Sequence, residues 1–190
     1  MPKNMLIHDV GLQGRTPTDM AQNNWDVPAG TTTAHVMGWA AAYATSQHGL
    51  DNLFIMCHGY EGGVHDGRTL QSTFDLGFGL ALGAPGLTFD NVRLASGLNG
   101  KVSTITLFAC GPAHTRTGFE NTTADGMRFC GEFALIAGAE VIAAVETQYY
   151  YHTPTWWDRL RGRDGAIDFG AWEGPVFRFS PADGRGSRVM

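Results

Sequence analysis

The chain has 190 residues, 43% of them hydrophobic and 16% charged, and a formal net charge of −5. That length and composition predict one domain over residues 1–190 with a buried core. The acidic balance excludes a nucleic-acid footprint, which needs a basic face, and no apolar run approaches the ~18 residues of a membrane span.

The first strand is predicted over 4–10, "NMLIHDV". The N-terminal stretch has no sustained apolar h-region and no small-residue cleavage site, so no secretory leader is expected. Residues 11–30 are polar and punctuated by Pro and Gly, which reads as loop. "TTTAHVMGWAAAYATSQHG" then reads as a helix. The threonines at 31–33 supply its cap, Val36, Trp39, Ala40 and Tyr43 recur at spacings of three and four, and Gly49 is placed as its stop.

"NLFIMC" (52–57) is apolar on both faces, as a strand inside a parallel sheet should be. Residues 68–83 read as a hairpin or irregular loop. Residues 88–102 read as a helix with Thr88 as cap and Asp90 in the first turn. "STITLFAC" (103–110) is the next buried strand. Residues 124–138 form a helix ended by Gly138, with Cys130 a core thiol beside Phe129 and Phe133. Strands follow over 140–150 and, in "PVFRFSP", over 175–181. Arg159, Arg161, Arg163, Arg185 and Arg188 are mixed with Asp and Gly and read as solvated surface.

Strands alternating with helices predict an α/β fold with a mostly parallel sheet. Right-handed crossovers are expected to place helices on both of its faces. All parallel strands then end at one edge, where ligands sit in open α/β sheets. The three cysteines, Cys57, Cys110 and Cys130, do not form a disulfide framework. Free thiols in a reducing, cytoplasmic setting are expected.

Two strands run out in the same way. "LFIMC" enters His58 and Gly59; "TITLFA" enters Cys110 and Gly111. If their strands are neighbours, the two residues share one rim. A thiol attacks well only as a thiolate, and a nearby imidazole takes its proton. Cys110 is the candidate nucleophile and His58 the candidate general base, then acid. Gly59 and Gly111 are the candidate oxyanion and backbone residues. The N–H of Gly59, with that of Cys110, faces a substrate carbonyl, and Gly111 with Pro112 turns the chain away from the thiol. Taken singly, a strand-end His is more often a structural hydrogen-bonder and a strand-end Cys a small core residue. Their matched positions favour the joint reading.

An apolar strand into His-Gly, then an apolar strand into Ala-Cys, resembles the caspase-like cysteine peptidases. That superfamily includes caspases, metacaspases, clostripain, gingipains, legumain, separase and bacterial CHAT domains. Fifty-two residues separate His58 from Cys110, against about 50 in caspases. Ala109, Cys110 and Gly111 fit the caspase pattern Q-A-C-[RQG]-G; Phe108 and Pro112 depart from it. The stretch "GFENTTADGMRFCGEFALIAGAEVIAAV" is also similar to bacterial members, and the likeness spans about residues 34–148. It implies a three-layer caspase-like sandwich, a Cys–His dyad without an obligatory third residue, and cleavage of peptide bonds with no cofactor and no metal. By analogy with clostripain- and separase-like relatives, Glu146 binds a basic P1 residue. A solvated carboxylate is the plainer account of it, and Phe108 stands where some basic-specific relatives place an acid. Asp66 and Glu61, after His58, are further substrate-binding candidates. Tyr149, Tyr150, Tyr151, Trp156 and Trp157 either wall the cleft or pack the loop, packing being the plainer account. The expected partner is a polypeptide substrate, with a regulatory protein or a homodimer left open and neither nucleic acid nor membrane expected.

Three rivals remain. An α/β-hydrolase needs a nucleophile elbow with Gly two residues before the nucleophile; Phe108 stands there. A metal site draws on Cys57, His58, His65, Cys110, His114 and His152, but no CxxC or HxxxH pair fixes a geometry, and no EF-hand loop is present. A caspase-like fold kept as an inactive interaction module is the third.

Overall fold

The computed structural model describes residues 2–60 and 79–190. In chain order its elements are β1 (Asn4–Asp9), β2 (Asn23–Val27), α1 (Thr33–Ser46), β3 (Leu50–Met56), β4 (His58–Tyr60), β5 (Gly79–Ala81) and β6 (Leu87–Thr88). A 3₁₀ helix (Val92–Leu98) follows, then β7 (Val102–Phe108), α2 (Gly126–Ala137), β8 (Glu140–Ala144), α3 (Trp156–Leu160), β9 (Val176–Phe179) and β10 (Gly186–Arg188). Among the described residues, seven strands form one sheet in the order β10-β9-β8-β7-β3-β1-β2, and β4-β5-β6 form a second, smaller one. The strands from β2 to β8 pair in parallel; β9 and β10 add antiparallel pairs at one edge. The class is α/β with a mostly parallel mixed sheet.

Local sequence explains the helices. The Thr32 side chain accepts from the His35 N–H at 3.2 Å and starts α1. Val36, Met37, Ala40, Ala41 and Ala44 are buried along one stripe. The helix ends at Ser46, short of Gly49, because His48 already adopts a φ of 57°. Asp125 caps α2, and Gly138 closes it at φ 59°, a left-handed conformation that glycine adopts without steric cost. Phe129, Cys130 and Phe133 are fully buried beneath it. Each phenylalanine so buried stabilises the fold by about 1.5–3 kcal/mol.

The faces differ from expectation. Met5, Ile7, Leu53, Ile55, Ile105, Leu107, Val141 and Ala143 point to one face, and the same core takes in α1, the 3₁₀ helix and α2. On the other face Leu6, Met56, Phe54 and Phe108 meet Leu12, Met20, Ile167 and Phe169, which come from loops. Among the described residues the expected second helical layer is reduced to the five-residue α3, whose Asp158 lines a cleft on this face with Met56 and Phe108. Strand order gives the reason. The steps β2 to β3, β3 to β7 and β7 to β8 all run one way across the sheet. Right-handed crossovers put α1, the 3₁₀ helix and α2, one from each of these connections, on one face. Only β1 to β2 runs back, and residues 10–22 cross there as loop.

Three other elements differ. The stretch 11–30 contains β2, an edge strand whose "NNWDV" has little β-propensity. It is held by Trp25 packing on Trp39 of α1, ring centroids 4.3 Å apart. The helix expected over 88–102 is the two-residue β6 followed by the 3₁₀ helix. Strand β8 stops at Ala144, six residues short of the expected end. The hairpin or irregular loop expected over 68–83 lies mostly outside the described residues; within the described part, 79–83, stands β5.

Candidate active site

Strands β3 and β7 are direct neighbours, with Met56 opposite Phe108. The Cys57 N–H still donates to Phe108 O at 3.2 Å. The chain then leaves the main sheet, and His58 opens β4, opposite Ala81 of β5. His58 therefore stands at the corner between the two sheets, two residues past Met56. Cys110 stands two residues past Phe108. The sequence-predicted pair thus emerges from adjacent strands at one edge.

The two run-outs touch through Gly59. A Cβ on residue 59 would overlap the Cys110 carbonyl oxygen and lie 2.8 Å from its carbonyl carbon and 2.9 Å from its nitrogen. Only glycine admits this approach. His58 is exposed and Cys110 half-buried. His58 Nε2 lies 3.2 Å from Gly11 O. A carbonyl only accepts, so Nε2 carries the proton and Nδ1 is the basic nitrogen of the neutral ring. The Cys110 thiol donates to Gln148 O at 3.9 Å.

The turn after Cys110 is held from two sides. Gly111, at φ 50°, donates its N–H to Glu146 O at 3.1 Å, and Ala113 donates to Ala144 O at 3.1 Å. The Gly111 N–H is thereby used within the fold. Gly111 serves as the turn, and its own N–H is not an oxyanion donor. From the other side, the Asp125 carboxylate accepts from the Thr115 hydroxyl at 2.6 Å, and the Gly126 N–H donates to His114 O at 2.9 Å. Burial raises the Asp125 carboxyl, but the Thr115 hydroxyl and the N–H groups of Asn121, Arg128 and Met127 outweigh it. They hold the group below the usual carboxylate range.

Cys57 and Cys130 are a different kind of thiol. Both are buried, and neither forms a disulfide. Burial pushes both up, with Asp9 and Cys110 adding to the effect at Cys57 and Asp125 at Cys130.

The remaining predicted residues separate. Glu146 is exposed, and its side chain lies over Gly174, where a Cβ would come within 2.5 Å of the carboxyl carbon. Tyr149 is 64% exposed, and Trp156 and Trp157 project into solvent comparably; Tyr151, also largely exposed, pairs through its backbone with Asp168 and lines the cleft described below. Tyr150 alone of that group packs inward, on Phe169. Asp66, Glu61 and His65 lie outside the described residues.

Sequence reading missed Gln148 and Gly11. Gln148 is buried, and its amide donates to Glu146 O at 3.0 Å and Glu173 O at 2.9 Å while accepting from the Glu173 N–H at 3.1 Å. It fixes the segment that presents its own carbonyl to the thiol. Nothing in "ETQYY" signals this, because the partner segment lies 25 residues on.

Beneath the pair, on the face without long helices, lies a cleft of about 880 Å³. Met56, Phe108, Ile167, Phe169 and Trp172 line it, with Arg15, Asp19, Asp158 and Asp168 as its charged groups. Phe108 stacks on Trp172 with centroids 5.2 Å apart and planes 11° apart. Phe108 sits two residues before Cys110, so the cleft begins roughly 7 Å along β7 from the thiol.

No protein-family model, curated protein or solved structure matches the chain. Among the described residues, no group of three or more His, Cys, Asp and Glu side chains is arranged to hold a metal ion, and no helix is long and apolar enough to cross a membrane.

Proposed function

We propose that the protein is a caspase-like cysteine endopeptidase in which Cys110 attacks a peptide carbonyl and His58 moves the proton. The observation that carries this reading is the contact of Gly59 with the Cys110 backbone, which brings both run-outs to one rim. The proton on His58 Nε2 is committed to Gly11 O, which leaves Nδ1 as the base. Rotation of the thiol away from Gln148 O, about its Cα–Cβ bond, delivers it toward the imidazole. Attack forms the S–C bond and a tetrahedral oxyanion facing the Gly59 and Cys110 N–H groups. Collapse expels the amine, which takes the proton from His58, and water then hydrolyses the thioester.

The P1 side chain enters the cleft. Its aromatic lining suits an aliphatic stem, and Asp19, Asp158 and Asp168 outnumber Arg15 there, which suits a cationic head. Arg15 also lies 3.6 Å from Asp158, leaving Asp19 and Asp168 as the carboxylates for a ligand. Both line the cleft, whereas Glu146 does not and rests on Gly174. The α/β-hydrolase alternative has little support: sixteen residues separate Cys110 from the start of α2, whereas a nucleophile elbow leads straight into a helix.

The competing reading is an inactive module. It is favoured by the bonds that the thiol makes to Gln148 O and His58 makes to Gly11 O. A peptide library incubated with wild type and Cys110→Ala separates the two. Cleavage after Arg or Lys by wild type alone supports the peptidase. Equal cleavage by both, or by neither, removes it.

A further inference from the structure

Helix α3 is short, and its "WWDRL" buries no residue. So short a helix does not hold by propensity alone; its ends hold this one. The Thr155 hydroxyl accepts from the Asp158 N–H at 3.2 Å, and the Asp158 carboxylate accepts from the Thr155 N–H at 3.1 Å, a reciprocal cap. The Asp158 side chain is only 13% exposed, and its Oδ1 lies 3.6 Å from an Arg15 guanidinium nitrogen, which ties the helix to the body. After the helix, the Arg161 N–H donates to Trp157 O at 3.2 Å and the Arg163 N–H to Asp158 O at 2.9 Å. The chain thus folds back on the helix, with Gly162 at φ 60°.

What faces outward is apolar and cationic. Trp156, Trp157 and Leu160 are 63%, 62% and 62% exposed. Leu160 follows the two indoles at helical spacings of four and three, so the three side chains share one face. The indoles meet edge to face with centroids 4.4 Å apart. Arg159, Arg161 and Arg163, in and just after the helix, are exposed as well. Among the described residues none of their guanidinium groups forms a salt bridge. Asp164 is the one exposed carboxylate of the stretch 156–164. A single exposed apolar residue needs no explanation; a contiguous group bordered by charge marks a contact site.

We propose that α3 docks the protein on an anionic phospholipid surface, with Trp156, Trp157 and Leu160 entering the headgroup layer and Arg159, Arg161 and Arg163 meeting lipid phosphates. Shape favours lipid over a peptide or a folded partner. No residue of α3 is buried, and neither indole nor Leu160 lines the cleft, so this face stands proud of the body. It offers a peptide no groove to lie in, whereas a fluid headgroup layer closes around a protruding knob. Charge favours an anionic surface. The chain carries −5, yet three arginines face one aspartate here, and at physiological salt more distant charges are screened beyond about 8 Å. Indole and guanidinium side by side suit the interface, where the ring sits among headgroups and the cation reaches phosphate. The sequence alone reads these arginines as solvated and expects no membrane; the exposed indoles beside them are the reason to differ, and a surface contact needs no spanning helix. Thr155 and Asp158 also line the cleft, so docking sets the candidate site beside the bilayer. The inference does not rest on the Cys–His reading.

The test is co-sedimentation with vesicles of phosphatidylcholine, alone or mixed in equal parts with phosphatidylserine. Wild type is expected to sediment with the mixed vesicles only, to be released by high salt, and to show blue-shifted tryptophan emission when bound. The double variant Trp156→Ser, Trp157→Ser, folded by its thermal transition, loses the blue shift and binds about tenfold more weakly or worse. The triple variant Arg159→Gln, Arg161→Gln, Arg163→Gln binds about a hundredfold more weakly. Either variant serves if the other fails to fold. Wild type that binds neither vesicle, or both equally, overturns the proposal, as does a folded variant that binds as wild type does. Wild type that ignores vesicles but dimerises, with the dimer lost in the variants, overturns it in favour of a second copy. The assay needs no substrate, so a protein that docks and cleaves nothing removes the peptidase reading alone.

Discussion

Gly59 lies with its Cα against the backbone of Cys110, too close for any Cβ. The obstructing atoms are backbone, held by the Gly111-to-Glu146 and Ala113-to-Ala144 hydrogen bonds, so they cannot swing aside as a side chain would. Gly59→Ala is expected to destabilise the protein by about 1–3 kcal/mol through overpacking. It should also slow Cys110 chemistry about a hundredfold, since displacement of about 1 Å costs that much. Thermal unfolding and alkylation rates, measured together, check both.

Thiol labelling follows from burial. Cys57 and Cys130 are buried and pushed toward the protonated form, while Cys110 is half-buried. Iodoacetamide under native conditions is expected to modify one thiol per chain, and peptide mapping to place it at Cys110. Modification at two or three sites with the fold intact would show the burial to be misjudged.

Asp125 links the site to acid stability. Its folded-state carboxyl lies below the ordinary value of about 3.9, so its contribution is fully present above that pH. It is lost as pH falls through the lower, folded-state value. Asp125→Ala removes the cap of α2, at a cost of about 0.5–2 kcal/mol, and leaves the Thr115 hydroxyl without its acceptor. Urea titrations at pH 7 and pH 3 are expected to show a large deficit for the variant at pH 7 and a smaller one at pH 3.

Gln148 offers a charge test with little change of shape. Gln148→Glu replaces an amide that donates to two carbonyls with a group that repels both in its ionised form. The loss expected is about 2 kcal/mol or more at neutral pH, with part recovered as pH falls and the new carboxyl protonates. Urea midpoints across that pH range measure it; a variant as stable as wild type at pH 7 contradicts the bond assignment.

How much of this was legible in the sequence depends on what kind of force placed each residue. The strands entering His58 and Cys110, and the capped helix over 126–137, carry local signals: apolar runs, a capping Asp, a terminal Gly. Strand β2 carries none, because "NNWDV" is held by Trp25 against α1 rather than by β-propensity. The second face was misread because handedness puts a connection on a face without deciding that the connection is a helix, and residues 10–22 lack the period for one. Gly11 and Gln148 act through backbone carbonyls. A carbonyl is the same in every residue, so no side-chain motif could announce it.

The pH dependence of Cys110 alkylation, in wild type and in His58→Ala, tests the working pair most directly. If His58 takes the thiol proton, wild type reacts readily well below the ordinary thiol value of about 8.5, and His58→Ala shifts that profile up to it. Superimposable profiles for the two proteins, both following an ordinary thiol, would contradict the pairing.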